Sequence, residues 1–378
     1  MTFQPALPPR AALEVPRIIQ PAPFETSFGH IVATVPKEST TVQVFVNGKA
    51  VASTMPEGRT RVAIEVNLPL GDSTLRVVAL TSSGAARRSR TVSPVFGLPL
   101  TARPLVNTSS LDTKLETKVV PLTRRFPSAA SAYVRNLRTG AGAAWNARAR
   151  FPAASSLKLA IAVETLRTIR GPPPHGGDVD ALLRAAIISS DNEAADRLEV
   201  LVGGSTFGGS TRVNALLRAL GLTNTDMYGG YELESPAARP IPVAVNDQPS
   251  ISRTKYSTAF DLAQLMADVY LAAEGTGPLL RRVHGFDSEA ARYLLYLLLH
   301  VTDHGKIDRF LPHSVAVAHK AGWNSVARVD NGLVIWNGGV FVETVMTWSP
   351  SGIGTSSDVL AGRVAQLSFD RFRTEADN

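Results

Sequence analysis

The spacing of apolar residues changes along this chain, and that change restricts the kinds of packing available to it. Residues 41–51, Thr-Val-Gln-Val-Phe-Val-Asn-Gly-Lys-Ala-Val, alternate apolar and polar side chains through Asn47-Gly48. A period of two marks a strand with one buried face, and Asn-Gly is the strongest short hairpin signal. Residues 61–68 and 73–80 continue the alternation, with Leu70-Gly71-Asp72 as the turn between them. Several short strands at this spacing predict a small β-sandwich. Further on, Leu159, Ile161, Ala162, Val163 and Leu166 form an apolar run with no helix breaker until Gly171. That run predicts a buried helix. At 378 residues the chain exceeds what one compact core usually reaches, so two domains are expected.

The expected organisation is a Pro-rich tether over residues 1–23, an all-β module over 24–100 and a larger α/β domain over 101–378. No stretch is long and apolar enough to cross a bilayer, and residues 293–299 read as a buried helix. The chain has no cysteine, which excludes disulfides, thiolate nucleophiles and thiolate metal sites. Its net charge of +7 is spread along the chain without a concentrated basic face, so nucleic acid is not an expected partner. Arg87, Arg88 and Arg90 form a small basic cluster, read as a solvated strand end, with weak attraction to anionic wall polymer as the alternative. His300 and His304 are expected to share a helix face, but no third ligand lies nearby in sequence, so no metal or other cofactor is assigned.

Three clusters carry chemistry. Ser155-Ser156-Leu157-Lys158 opens the buried helix. Residues i and i+3 share a helix face, so Lys158 can reach the Ser155 hydroxyl. A serine needs a neighbouring base to become nucleophilic at neutral pH, and a helix start favours developing negative charge. The alternative is that Ser155 merely caps the helix. Ser190-Asp191-Asn192 marks a bend between helical runs. In an extended turn, residues two apart project to one side, which aims Ser190 and Asn192 into one cleft; ordinary turn chemistry is the alternative. Lys320-Ala321-Gly322 lies in the first of three strands expected to form an antiparallel meander, with residues 329–336 and 340–347 as the others. The glycine allows close backbone approach by a substrate; a solubilising edge lysine is the bland reading.

In this order, Ser-x-x-Lys, Ser-Asp-Asn and Lys-x-Gly resemble the penicillin-recognising serine hydrolases, in particular their class A β-lactamase-like branch. Residues 129–146 are similar to that family's opening hairpin. Tyr256-Ser-Thr-Ala-Phe-Asp-Leu resembles a later helix, with Ser257 or Thr258 as its cap. The likeness runs from about residue 111 to the C-terminus. It implies an α/β (α+β) β-lactamase/transpeptidase-like domain, an antiparallel sheet flanked by helices plus a helical subdomain. The preceding β region resembles a bacterial immunoglobulin-like module, expected to act as a spacer or a wall-contacting surface.

The resemblance also implies roles. Ser155 becomes acylated, Lys158 acts as its base, Ser190 passes the proton to the leaving nitrogen, and Lys320 depresses the pKa of Lys158 and attracts a substrate carboxylate. Asn192 holds the substrate's side-chain amide. The backbone N–H groups of Ser155 and Trp323 form the oxyanion hole, and Ala321, Gly322 and Arg328 complete substrate binding. Three departures stand out, one being that only 35 positions separate Ser155 from Ser190, a shorter segment than relatives normally carry. Ala321 replaces the family's usual Thr or Ser, and residues 228–236, Tyr-Gly-Gly-Tyr-Glu-Leu-Glu-Ser-Pro, replace the Glu-x-x-Leu-Asn pattern that activates the deacylating water. Glu232 and Glu234 are the candidate bases there. The expected function is a serine hydrolase acylated by a β-lactam or related peptidoglycan-type amide and deacylated by water. The alternatives are a D-alanyl-D-alanine carboxypeptidase or esterase-like relative, and a degenerate wall-binding protein. Such a protein is expected to be exported, to the periplasm, the medium or the wall, with its leader removed.

Overall fold

In the computed structural model, described for residues 14–376 except 235, 246, 247, 249 and 254, two β sheets precede a mixed α/β body. A three-stranded sheet joins Arg17–Gln20, His30–Thr34 and Arg61–Glu65. Its first strand falls inside the span expected to be a tether: Ile18 is buried against the sheet, and pairing with residues 32–34 holds the segment in place. The second sheet runs Glu25–Ser27, Val92–Gly97, Gly71–Thr81, Ser39–Val46, Lys49–Thr54, with Ala86–Arg88 also on Gly71–Thr81. The inward residues of both sheets, among them Ile31, Val42, Val44, Ile64, Leu75 and Val77, form one core. Asn47 and Gly48 both take positive φ, 49° and 80°, as a two-residue hairpin turn requires.

The body's main sheet has the order Ser110–Leu111, Ala141–Trp145, Ala129–Asn136, Gly339–Trp348, Ala327–Trp336, Ala316–His319, with Gly322–Trp323 also on Ala327–Trp336. Its last members form an antiparallel meander as expected, except that the first strand is split: Ala316–His319 and Gly322–Trp323 both pair with Ala327–Trp336, and Lys320 and Ala321 lie between them. Helices α1 (Thr113–Arg124) and α9 (Ser356–Ala376) cover one face, burying Leu115, Val119, Val364 and Phe372 with sheet residues Val134, Phe341 and Val345. The other face carries α2 (Lys158–Ile169), α3 (Asp178–Ile188), α4 (Asn192–Gly203), α5 (Thr206–Leu220), α6 (Ala259–Ala273), α7 (Pro278–Arg282) and α8 (Ser288–Leu299). Residues 158–166 of α2 are all buried, so this helix is surrounded on every side. Thr258 caps α6 by accepting from the Asp261 amide at 3.0 Å, while Ser257 lies one residue outside.

The two parts pack tightly. Phe28, Phe96 and Leu98 of the β region belong to the same core as α2, α6 and α8. Glu25 meets Arg292 of α8 at 2.9 Å, both almost fully buried, and Phe24 stacks on His175 at 3.9 Å. Helix α8 ends at Leu299, so His300 and His304 do not share a helix face. His300 instead stacks on Tyr296 and reaches Asp72 at 3.2 Å, while His304 pairs with Asp308. Among the described residues, no helix is long and apolar enough to cross a membrane.

Candidate active site

Ser155 sits in a 3₁₀ turn, Ala154–Leu157, that feeds directly into α2. The residue before it, Ala154, has φ +45°, a left-handed conformation that costs an L-residue energy and persists only when its surroundings impose it. Three neighbours do so. The Ala153 amide donates to Lys255 O at 3.1 Å, the Tyr231 hydroxyl donates to Ala154 O at 3.1 Å, and Gly322 presses on the turn. A Cβ at Gly322 would lie 2.7 Å from the amide nitrogens of both Ser155 and Ser156. The glycine in Lys-x-Gly is therefore required by the turn that carries Ser155.

Lys158 begins α2 with its side chain fully buried. Its ammonium donates to Ser190 O, to Asn192 Oδ1 at 2.7 Å and, at 3.5 Å, to Ser190 Oγ. Lys320, 1% exposed, donates to the same Ser190 Oγ at 2.8 Å and to Ala321 O at 2.9 Å. It is therefore no solubilising edge lysine. One hydroxyl thus joins two buried amines that come from elements 162 positions apart in sequence. Ser190 and Asn192 do converge, but not through an extended turn. Ser190 is left-handed, φ +58°, Asp191 caps α4 through the Ala194 amide, and Asn192 is the first helical residue.

Burial pushes Lys158 down to about 8, helped by Lys255 and opposed by Asp191, Asp196 and Glu232. Burial and the neighbouring Lys158 push Lys320 down to about 7. Both amines therefore lose protons far more easily than a free lysine, as a general base requires. Ser155 Oγ makes no hydrogen bond among the described residues. Such bonds tighten on binding substrate.

A cavity of about 210 Å³ adjoins Ser155, bounded by Asn192, Tyr231, Trp323 and Asn324, with Arg253 and Lys255 in its wall. Trp323 is 61% exposed at this site. Ala321, Gly322 and Arg328 do not line it. Ala321 is buried with its carbonyl taken by Lys320, and Arg328 turns to Asp358 at the start of α9, 2.6 Å away. The two glutamates separate. Glu232 accepts from Asn192 Nδ2 at 3.2 Å. Glu234 accepts from the amide and hydroxyl of Thr206 at 2.9 and 2.6 Å, which hold its carboxyl below the ordinary range. Neither lines the cavity.

The loop that replaces the glutamate pattern is anchored by Asp196, whose carboxylate accepts from the amides of Tyr231, Glu232 and Leu233 at 2.6–2.7 Å. The Tyr231 ring meets two ammonium groups, with Lys158 Nζ 4.7 Å and Lys255 Nζ 4.5 Å from its centroid. Lys255, itself buried, donates to Gly230 O at 2.7 Å. Behind it, burial raises Glu199 to about 8, with Ser210 donating to it at 2.9 Å. Tyr231, Arg253 and Lys255 were not singled out from sequence. A signal was present: Arg253 and Lys255 are two apart in an extended stretch before a helix, so they project to one side.

Solved structures share this architecture. PBP-A matches at 19% identity over 71% of this chain and 100% of its own, TM-score 0.57. A PBP-A mutant in an acyl-enzyme complex with penicillin G matches at 20%, with the same coverage and TM-score 0.54. The class A β-lactamase from Mycobacterium abscessus matches at 18% over 68% of this chain and 99% of its own, TM-score 0.53. No curated protein matches the chain. The model of the beta-lactamase enzyme family matches residues 114–171 and 172–372, which include every residue of the cluster around Ser155, and the chain belongs to that family.

Proposed function

We propose that this protein is a serine hydrolase acylated at Ser155 by a β-lactam or peptidoglycan-type amide, and that it releases the acyl group slowly. The observation that carries the reading is Ser190 Oγ held by two buried amines of depressed pKa, beside a serine at a helix start. Neutral Lys158 takes the Ser155 proton as Oγ attacks the carbonyl. The resulting oxyanion faces the amides of Ser155 and Trp323. A preorganised donor of this kind contributes about 3–4 kcal/mol. Ser190 Oγ then delivers a proton to the departing nitrogen and is replenished through Lys320 or Lys158.

Slow release is favoured by a specific feature. The cavity lining beside Ser155 has no Asp or Glu among the described residues. Asp196 is engaged by three amides and Glu199 is a buried, protonated acid near pH 7. A water in that cavity therefore has no carboxylate in the lining to activate it, Glu232 standing outside the lining at 3.2 Å from Asn192 Nδ2, which suits a D-alanyl-D-alanine carboxypeptidase or penicillin-binding relative better than a fast lactamase. Such substrates imply an exported, wall-facing protein.

The test is intact-mass spectrometry with a fluorescent penicillin, alongside hydrolysis of a chromogenic cephalosporin. The expected outcome is a persistent adduct on the wild type, none on Ser155→Ala, and little turnover. An adduct on Ser155→Ala, or none on the wild type, overturns acylation at Ser155. Rapid cephalosporin turnover leaves the nucleophile standing and overturns slow release.

A further inference from the structure

The cavity beside Ser155 is more cationic than acylation alone requires. Arg253 and Lys255 both stand in its wall, and its lining holds no carboxylate among the described residues; Asp196 and Glu199 act on Lys255 from outside the lining. The two cations are not equivalent. Lys255 is committed to Gly230 O and to the face of Tyr231. Arg253 donates from Nη1 to its neighbour's carbonyl, Ser252 O, at 2.7 Å, and has no ion pair among the described residues. A guanidinium has five N–H donors in a planar fork, so most of Arg253's capacity is open. Other arginines nearby are spent. Arg239, its cross-strand partner, meets Asp226 at 2.8 Å and stacks on Tyr228, and Arg328 is held by Asp358.

The cavity's place in the site indicates which half of a substrate it takes. Lys320 and Ser190, which serve the leaving nitrogen, are absent from its lining; Asn192 and Trp323 are present. It therefore receives the acyl half, beyond the scissile carbonyl. Trp323 offers an exposed apolar face, and Asn324, whose Oδ1 accepts from the Val326 and Ala327 amides, leaves its amide N–H₂ for a ligand.

We propose that the preferred acyl donors of this protein carry a carboxylate on the acyl side chain, and that Arg253 binds it through a charge-assisted, two-pronged hydrogen bond. This rests on acylation at Ser155.

The test compares acylation rates for benzylpenicillin and for the same penicillin bearing a carboxylate on its side-chain α-carbon, in the wild type, Arg253→Ala and Arg253→Lys. The carboxylated donor should label the wild type faster. Arg253→Ala should slow that donor alone by about ten- to a hundredfold, the range of hydrogen bonds to a charged partner. Arg253→Lys, which keeps the charge and loses the fork, should recover part of the loss. Benzylpenicillin labelling should stay within about twofold in all three, which also shows that the variants are folded. Equal slowing of both donors, or slowing of neither, overturns the proposal. Failure of both donors to label the wild type overturns acylation at Ser155 itself.

Discussion

Two pairs of buried charges lie in different parts of this molecule, one of opposite sign and one of like sign. Glu25 and Arg292 meet at 2.9 Å between the β region and α8. Lys158 and Lys320 share Ser190 Oγ at the candidate active site. Both pairs give up hydration. Burial outweighs Arg292 and raises the Glu25 carboxyl above its ordinary range, so even the opposite pair is no net source of stability. What differs is the consequence of losing a member. Removing Arg292 strands a carboxylate in the interior, whereas removing a lysine relieves its neighbour. The opposite pair bridges the β region and α8; the like pair keeps the amines easily deprotonated.

The sharpest way to break the comparison is at the like-charged pair. Lys158→Ala should lower the acylation rate by about 10²–10⁴-fold, the usual worth of a general base, while Ser155→Ala abolishes labelling. Wild-type acylation should rise with pH through about 8, because the base acts only as the neutral amine. Stability has the matching sign. Lys158 has a folded pKa below its unfolded one, so the unfolded chain binds more protons between about 8 and the ordinary lysine value of 10.5. The cost of burying it is full below pH 8 and fades as pH climbs to the unfolded value. Full labelling of Lys158→Ala would assign the base elsewhere.

At the opposite-charged pair, Arg292→Met should destabilise the protein by about 3–5 kcal/mol, measured by denaturant unfolding. The double change Glu25→Met/Arg292→Met should recover most of that loss. If the double variant is as unstable as the single one, the ion pair holds the modules together by more than charge compensation.

The legible parts of this molecule were those written in local pattern. Alternation and Asn47-Gly48 announced the first hairpin, the apolar run after Lys158 announced a buried helix, and Ser257-Thr258 announced a cap, which Thr258 supplies. The convergence of Lys158, Ser190, Asn192 and Lys320 was legible through motif order. Their detailed geometry was not, because Ser190's left-handed backbone follows from how α3 and α4 meet rather than from its neighbours. Arg328 was misplaced for a similar reason: its partner Asp358 is 30 positions away on α9. Residues 237–253 were opaque. Two short paired strands there, Arg239–Pro240 and Ser252–Arg253, have little hydrophobic period, and their significance comes from which wall they build.

Lys255 allows the like-charge cluster to be sharpened rather than broken. Its ammonium, like that of Lys158, lies over the Tyr231 ring, and it lowers the pKa of Lys158. Lys255→Met should therefore move the acylation midpoint upward by about half a pH unit, a modest shift because burial, not Lys255, is the main cause of the depression. A purely structural loss would lower the rate at every pH and leave the midpoint unmoved.

The smallest expected effect separates two roles for Glu232. Its carboxylate, exposed and 3.2 Å from Asn192 Nδ2, raises the pKa of Lys158. Glu232→Gln removes that charge while keeping a similar shape, so the acylation midpoint should fall by about 0.3 pH unit at low salt, the scale of an exposed charge interaction. The shift should shrink as ionic strength rises, since solvent screens a charge at the surface. The release rate of the acyl group should stay within about twofold. A general base is worth about 10²–10⁴ in rate, so a drop of that size in release, with the acylation midpoint unmoved, would make Glu232 the water-activating carboxylate. The same variant thus separates a carboxylate that merely tunes the lysine from one that takes a proton from water, and only the second would give this cluster fast turnover.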